Sequence, residues 1–490
     1  MKRKVISLLL TATMVLAVFS GCGGKEEGKK PVDPAPDDSV ISGDEPTEVH
    51  PEVTGTVTVG INAERNSDYE ALAEAFEKMY PNVKVEPVVF ESSGDNATQY
   101  CTTLTMAGKP LPDILFDDAG NMPTYIQNGW MYPLTSFVEG DEEFKNVPQN
   151  IVDHLSYNGN IYALGQTLQS NMVMVNEDLI EELNIDPPEL DWNWDEFTEF
   201  IKTCTNVTYS GIQQMGGWTN WIPGTMVEGC TIAGYQYESN TFNLDAVRQY
   251  VNLYHEIADL KGVEADSLNK TSGSGENDYM KKFGTMSSAF EAGKVATTFV
   301  GTWNYDDWKK KDVDFNWDFY PVPQCVEGRV PIHVDYCWMS TSVEEENLEA
   351  AWAFLRFITY SKEGNLARLT SYDEDHITND LNFSYYIPCT RDEEVIEKFR
   401  SLPYVTDKIL YIYDNLENGY LGDPEKTVPG FEAVIKDNII NLADDATLGV
   451  EDFSSKMMDA QEKANAEIEK YMNIFNEALA KFETEFAASH

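Results

Sequence analysis

The chain has 490 residues, about three times the usual length of one domain, so two or more packed cores are expected. Aromatic residues make up 12% and the hydrophobic set 42%, enough for large cores and incompatible with global disorder. The 83 acidic side chains against 35 basic ones give a formal net charge of -48, which repels DNA, RNA and anionic lipid and argues against a nucleic-acid partner.

The chain opens on Lys2, Arg3 and Lys4, followed by an apolar run from Val5 to Phe19 that is too short and wrongly flanked for a spanning helix. Phe19-Ser20-Gly21-Cys22 resembles the lipobox of bacterial lipoproteins, with Phe where Leu is usual. That resemblance implies a lipoprotein signal over residues 1-22, cleaved just before Cys22, with Cys22 as the lipidated N-terminus. An ordinary secretory signal with a coincidental cysteine is the alternative. Residues 23-52 are Gly, Lys, Glu, Asp and Pro with little to bury, so a disordered tether is expected there. No apolar run long enough to span a bilayer follows, so the membrane is reached through the N-terminal lipid only. The expected location is the cell surface, on the outer face of the cytoplasmic membrane, which is periplasmic in a cell with an outer membrane.

From Thr56 strand and helix patterns alternate. Val57-Thr58-Val59-Gly60-Ile61 reads as a buried strand, and Leu72, Phe76 and Met79 line one face of a helix from about residue 68 to 79. A strand over 83–90, a helix around 97–107 and a strand over 113–116 come next. This β-α-β-α-β order predicts a parallel, doubly wound sheet, whose ligands sit beyond the carboxyl ends of the strands.

Three further segments carry a resemblance: Ala75 to Val85 with its Tyr80-Pro81-Asn82 break, Leu111-Pro112-Asp113-Ile114-Leu115-Phe116, and Gly129-Trp130-Met131-Tyr132-Pro133-Leu134. Tyr157 to Leu164, Val175 to Ile180, Trp194-Asp195-Glu196-Phe197, Gly293 to Trp303 and Glu349 to Leu355 continue it in order. The set resembles the bacterial extracellular solute-binding proteins (family 1, maltose-binding-protein-like) of ABC sugar importers. The resemblance implies an α/β, two-lobed periplasmic-binding-protein-like fold, with doubly wound sheets joined by a multi-crossing hinge. Lobe 1 is expected over 53-168 plus 336-390 and lobe 2 over 169-335 plus 391-490. A carbohydrate, an oligosaccharide above all, is the implied ligand, and ABC transporter permease subunits are the implied partners of a monomeric receptor. Ligand contacts made from both lobes exist together only in a closed form, so ligand would favour closure.

Sugar rings present apolar faces for aromatic stacking and hydroxyl edges for polar side chains. Trp218 and Trp221 lie in a Gly-rich, poorly periodic stretch. Trp303, after Val300-Gly301-Thr302, matches the place where maltose-binding-type proteins put a stacking aromatic. Tyr336 and Trp338 fall at the expected second crossing, where relatives often carry small glycines, and Phe431 loosely matches another platform. For the polar edge, Glu64 and Arg65 match an acid and a base of the family. Asp117, Asp118 and Asn121 fall on the loop after the third strand, Gln169 and Asn171 at the first crossing, and Asp335 at the second. Structural readings stand beside these: Asp117 or Asp118 as a helix cap, Arg65 as a solvated charge, Trp303 or Trp221 as packing. Asn193-Trp194-Asp195-Glu196 is most simply a capping box. Phe453, Met457, Ala464, Ile468, Tyr471, Phe475, Leu479 and Phe482 mark an amphipathic C-terminal helix docked on a lobe.

A secreted polysaccharide-degrading enzyme is the alternative in another class, and the same fold binding a peptide, polyamine or other cationic solute is a second. Hydrolysis needs two carboxylates at a set separation, which sequence cannot supply. There is no Gly-x-Ser-x-Gly, His-Glu-x-x-His or phosphate-binding glycine motif, and the six histidines are scattered, so neither metal nor cofactor is expected. Cys101, Cys204, Cys230, Cys325, Cys337 and Cys389 show no paired spacing, and their pairing stays open.

Overall fold

A computed structural model describes residues 49–62, 66–90, 96–117, 120–213, 221–258, 289–371 and 386–489. Residues 1–48, with Cys22 of the expected lipoprotein signal and almost all of the expected tether, lie outside them. So do Glu64, Arg65, Asp118 and Trp218. In chain order the strands are β1 (Gly55–Asn62), β2 (Val83–Phe90), β3 (Ile114–Asp117), the small hairpin β4 (Ser156–Tyr157) and β5 (Asn160–Ile161), β6 (Leu164–Gln169) and β7 (Asn171–Asn176). They continue as β8 (Ser210–Ile212), the hairpin β9 (Tyr235–Gln236) and β10 (Thr241–Phe242), β11 (Val295–Gly301), β12 (Trp317–Pro321), β13 (Pro331–Met339) and β14 (Tyr420–Leu421).

Alternation sets β1: Val57, Val59 and Ile61 are fully buried. The helix Asn66–Met79 then lays Leu72, Phe76 and Met79 on the same core. Helical crossovers make β1 parallel to both β2 and β3. Antiparallel pairing enters with β13, which runs against β3 on one edge and β6 on the other, with an irregularity between Asp335 and Tyr336. The resulting sheet is β14-β13-β3-β1-β2, with β6 also on β13. A second, four-stranded sheet has the order β12-β7-β11-β8. Every residue of β7 and β11 is buried, as the unbroken apolar character of Met172-Val173-Met174-Val175 requires.

The chain passes from the first sheet to the second through Ser170 alone, between β6 and β7. Ser170 ties three segments together: its N–H donates to Thr302 Oγ1 (3.0 Å), its carbonyl accepts from Thr302 N–H (2.9 Å), and its hydroxyl donates to the Pro331 carbonyl (2.7 Å). The chain returns between β12 and β13. After β14 it goes back through residues 422–427 to Phe431 and Val434, which share a core with β7 and β11.

Local rules hold at the helix Trp194–Cys204. The Asn193 side chain accepts from the N–H groups of Asp195 and Glu196, and Glu196 Oε2 accepts from Asn193 N–H at 2.8 Å. Asn193→Ala is expected to cost about 1 kcal/mol in urea unfolding. The C-terminal helix runs from Phe453 to Ser489, 37 residues, or about 55 Å at the α-helical rise. It docks on more than one core. Phe453, Ala464 and Ile468 pack with the second sheet's residues, whereas Phe475 and Leu479 join the core of Met122, Tyr125 and Tyr162. At its far end Glu483 accepts hydrogen bonds from Asn158 Nδ2 (2.8 Å), Asn160 Nδ2 (2.7 Å) and Tyr162 OH (3.2 Å). Among the described residues no helix is long and apolar enough to cross a membrane.

Candidate functional site

Polar side chains converge where the crossings meet. His333 and Asp335, two apart on β13, lie on one face of the strand and meet the segment after β14. His333 Nδ1 is 2.8 Å from Asp423 Oδ1, and Nε2 is 2.6 Å from Asn171 Oδ1. With an acceptor at each ring nitrogen, the imidazolium is the matching form. Burial alone would lower the His333 pKa, but the Asp423 carboxylate raises it above the usual value. Asp423 also accepts the Val334 N–H at 2.6 Å. Burial works to raise its pKa, yet Lys426 and His333 together hold it well below the usual carboxylate range.

Lys426 Nζ donates to Asp335 Oδ1 (3.2 Å) and to the Val334 carbonyl (3.0 Å), and sits 3.7 Å from Asp423. These three charged side chains are almost fully buried, at 7%, 8% and 2% exposure for Lys426, Asp335 and Asp423. Gln169, also buried, accepts from Thr302 Oγ1.

Beside this network stands Trp303, 41% exposed, with its indole edge-to-face to His333 at 5.7 Å. It follows β11 in a short turn, and a Cβ on Gly301 would fall 2.2 Å from the indole, so only glycine lets the ring fold back here. On the other flank Asn121 caps the helix Met122–Gln127, accepting from Thr124 N–H at 3.0 Å, while its Nδ2 donates to the Glu425 carbonyl at 2.7 Å. Asp117 closes β3 opposite Tyr336, whose buried hydroxyl donates to the Gly120 carbonyl at 2.8 Å.

The fold thus brings Asn121, Gln169, Asn171, Trp303, Asp335 and Tyr336 into one region. It does not bring in three of the expected aromatics. Trp338 is fully buried against Tyr125 at 5.1 Å. Trp221 is buried edge-on to Phe299 at 5.3 Å. Phe431 is buried between Phe242 and Tyr235, at 5.8 and 5.4 Å. Each fills a core, as does the ring of the fully buried Tyr336, so an open stacking face, as on Trp303, is missing from all four. Sequence reasoning missed His333, Asp423, Glu425 and Lys426. The available signal was the charged run Asp423-Pro424-Glu425-Lys426, next to a glycine and with no apolar periodicity.

His154, half-buried, packs edge-on to Tyr237 at 5.7 Å, and its Nε2 is buried without a hydrogen-bond partner among the described residues. Burial holds its pKa down at about 4 against the opposing pull of Asp423. Between pH 6.5 and about 4 the unfolded chain therefore takes up a proton that the folded chain refuses. The stability from neutral His154 is present above that window and is lost as pH falls through it. His154→Phe is expected to shrink the drop in melting temperature between pH 7 and 5.

No group of three or more His, Cys, Asp or Glu arranged to hold a metal occurs among the described residues. The arrangement offers one open aromatic face, on Trp303, beside fixed donors and acceptors.

Residues 71–374 match the family described as bacterial extracellular solute-binding protein. The chain belongs to that family. It is 26% identical over 331 residues, 66% of this chain and 70% of the other, to an uncharacterized ABC transporter extracellular-binding protein of Pyrococcus horikoshii. In fold it is similar to the cyclic alpha-maltosyl-1,6-maltose binding protein of Arthrobacter globiformis, with TM-score 0.64 and 14% identity, covering 85% of this chain and 100% of that one. It is also similar to an ABC substrate-binding protein of Listeria monocytogenes in complex with cycloalternan, with TM-score 0.59 and 18% identity, covering 86% and 99%. The α/β, two-lobed architecture of periplasmic binding proteins is therefore the fold of this solute-binding protein.

Proposed function

We propose that this solute-binding protein is the receptor of an ABC sugar importer, lipid-anchored through Cys22, which captures a carbohydrate between its lobes and hands it to membrane permease subunits. The observation that carries the reading is Trp303, a half-open indole braced by Gly301 and His333 beside the polar network at the crossings. A sugar ring stacks on such a face while neighbouring amides and carboxyls take its hydroxyls. The saccharide ligands of the fold neighbours in Arthrobacter and Listeria point the same way. In this reading lobe 1 is built on the first sheet and lobe 2 on the second, with the expected boundaries at 336 and 390 moved to the segment between β12 and β13 and to residues 422–427, because β13 and β14 both lie in the first sheet.

Titration with a panel of oligosaccharides tests it. Saturable binding with a rise in melting temperature and the sugar left intact is the expected result. Released reducing ends would overturn it in favour of a hydrolase, and binding of polyamines alone would favour a cationic cargo, which the net charge of -48 would attract.

A further inference from the structure

Glu425 is the member of the charged cluster whose Oε2 has no hydrogen-bond partner among the described residues. Its carbonyl accepts from Asn121 Nδ2 at 2.7 Å, which fixes the residue against the loop beyond the carboxyl end of β3. The residue is half-buried, yet Oε2 has no solvent exposure and no hydrogen-bond partner among the described residues. The nearby cations are already engaged, Lys426 by Asp335 and His333 by Asp423 and Asn171. Leaving a buried carboxyl oxygen unpaired destabilises a fold, and such atoms concentrate where they serve a task. Burial, and then the adjacent Asp423 carboxylate, push the Glu425 pKa up to about 7. Near neutrality its carboxyl can therefore both donate and accept, which complements a pair of sugar hydroxyls.

We propose that Glu425 is a ligand-binding residue of this site, its carboxyl hydrogen-bonding hydroxyl groups of the carbohydrate that stacks on Trp303. The inference rests on the carbohydrate reading above and adds to it a polar contact from the third crossing.

The test compares wild type with Glu425→Gln and Glu425→Leu at pH 8, where the carboxyl is mostly ionised beside Asp423, Lys426 and His333. Melting temperatures are measured without ligand, and affinities by calorimetry with each oligosaccharide that binds wild type. A residue held for ligand gives opposite signs: both variants melt above wild type, and both bind at least tenfold more weakly. A residue held for structure lowers the melting temperature, so a lower or unchanged value overturns the inference, as does affinity within twofold of wild type. If no saccharide binds wild type, the carbohydrate reading falls by itself. The unliganded comparison then still decides Glu425: a rise marks it as held for another hydrogen-bond-donating ligand, and anything else overturns it.

Discussion

Lys426→Met is expected to lower the free energy of unfolding by about 3–5 kcal/mol, the largest effect of any single substitution considered for this molecule. The reason is the pair of carboxylates left behind. Lys426 is the ammonium within 3.2 Å of Asp335 and 3.7 Å of Asp423, and all three side chains are nearly sealed from water. A buried ion pair gains little over an apolar replacement of both partners, but removing one partner strands the other's charge in a medium that solvates it poorly. Combining Lys426→Met with Asp335→Asn should therefore recover part of the loss, because one stranded charge disappears. Urea unfolding of wild type and the two variants measures this. A single-variant loss below about 1 kcal/mol would mean that the network is much wetter than its burial implies.

Trp303→Ala should weaken binding of the preferred oligosaccharide by about 2 kcal/mol, roughly thirtyfold in Kd, while leaving the unliganded melting temperature nearly unchanged. The two expectations come from the same fact. An indole 41% exposed contributes little to packing, so its open face is available to a ligand. Trp303→Phe should retain part of the affinity, since a smaller ring still offers a flat apolar face. Calorimetric titration checks both variants, and unchanged affinity for every bound sugar would remove Trp303 from the site.

Much of the fold was legible in the sequence because its signals are local. The alternation in Val57, Val59 and Ile61 and the helical spacing of Leu72, Phe76 and Met79 are set within a few residues, and β1, β2 and β3 followed from them. The capping box at Asn193 is a four-residue pattern and was equally readable. The site was legible only in part. The His333 contacts with Asn171 and Asp423 join residues 162 and 90 positions apart, and Lys426 meets Asp335 across 91. No local period encodes such meetings; they exist because β6, β13 and the segment after β14 come together at the crossings. The aromatics mislead for a related reason. Trp221, Trp338 and Trp303 all sit near glycines or expected crossings, and only tertiary packing separates two buried rings from an open one.

The long C-terminal helix has a mechanical consequence. A rod fixed to the second sheet's core near Phe453 and Ile468, and to the other core through Phe475, Leu479 and Glu483, behaves as a strut. Its hydrogen-bonded backbone resists stretching, so any spreading of the two sheets must be absorbed where the strut meets its abutments. Phe475 and Leu479 are enclosed much as Ala464 and Ile468 are, and beyond them the grip is three hydrogen bonds from Asn158, Asn160 and Tyr162 to Glu483, with Phe482 and Phe486 alongside. Any slippage is therefore expected in the last turns past Leu479, where the helix is held by the Glu483 hydrogen bonds and two rings and no longer by an enclosed apolar stripe.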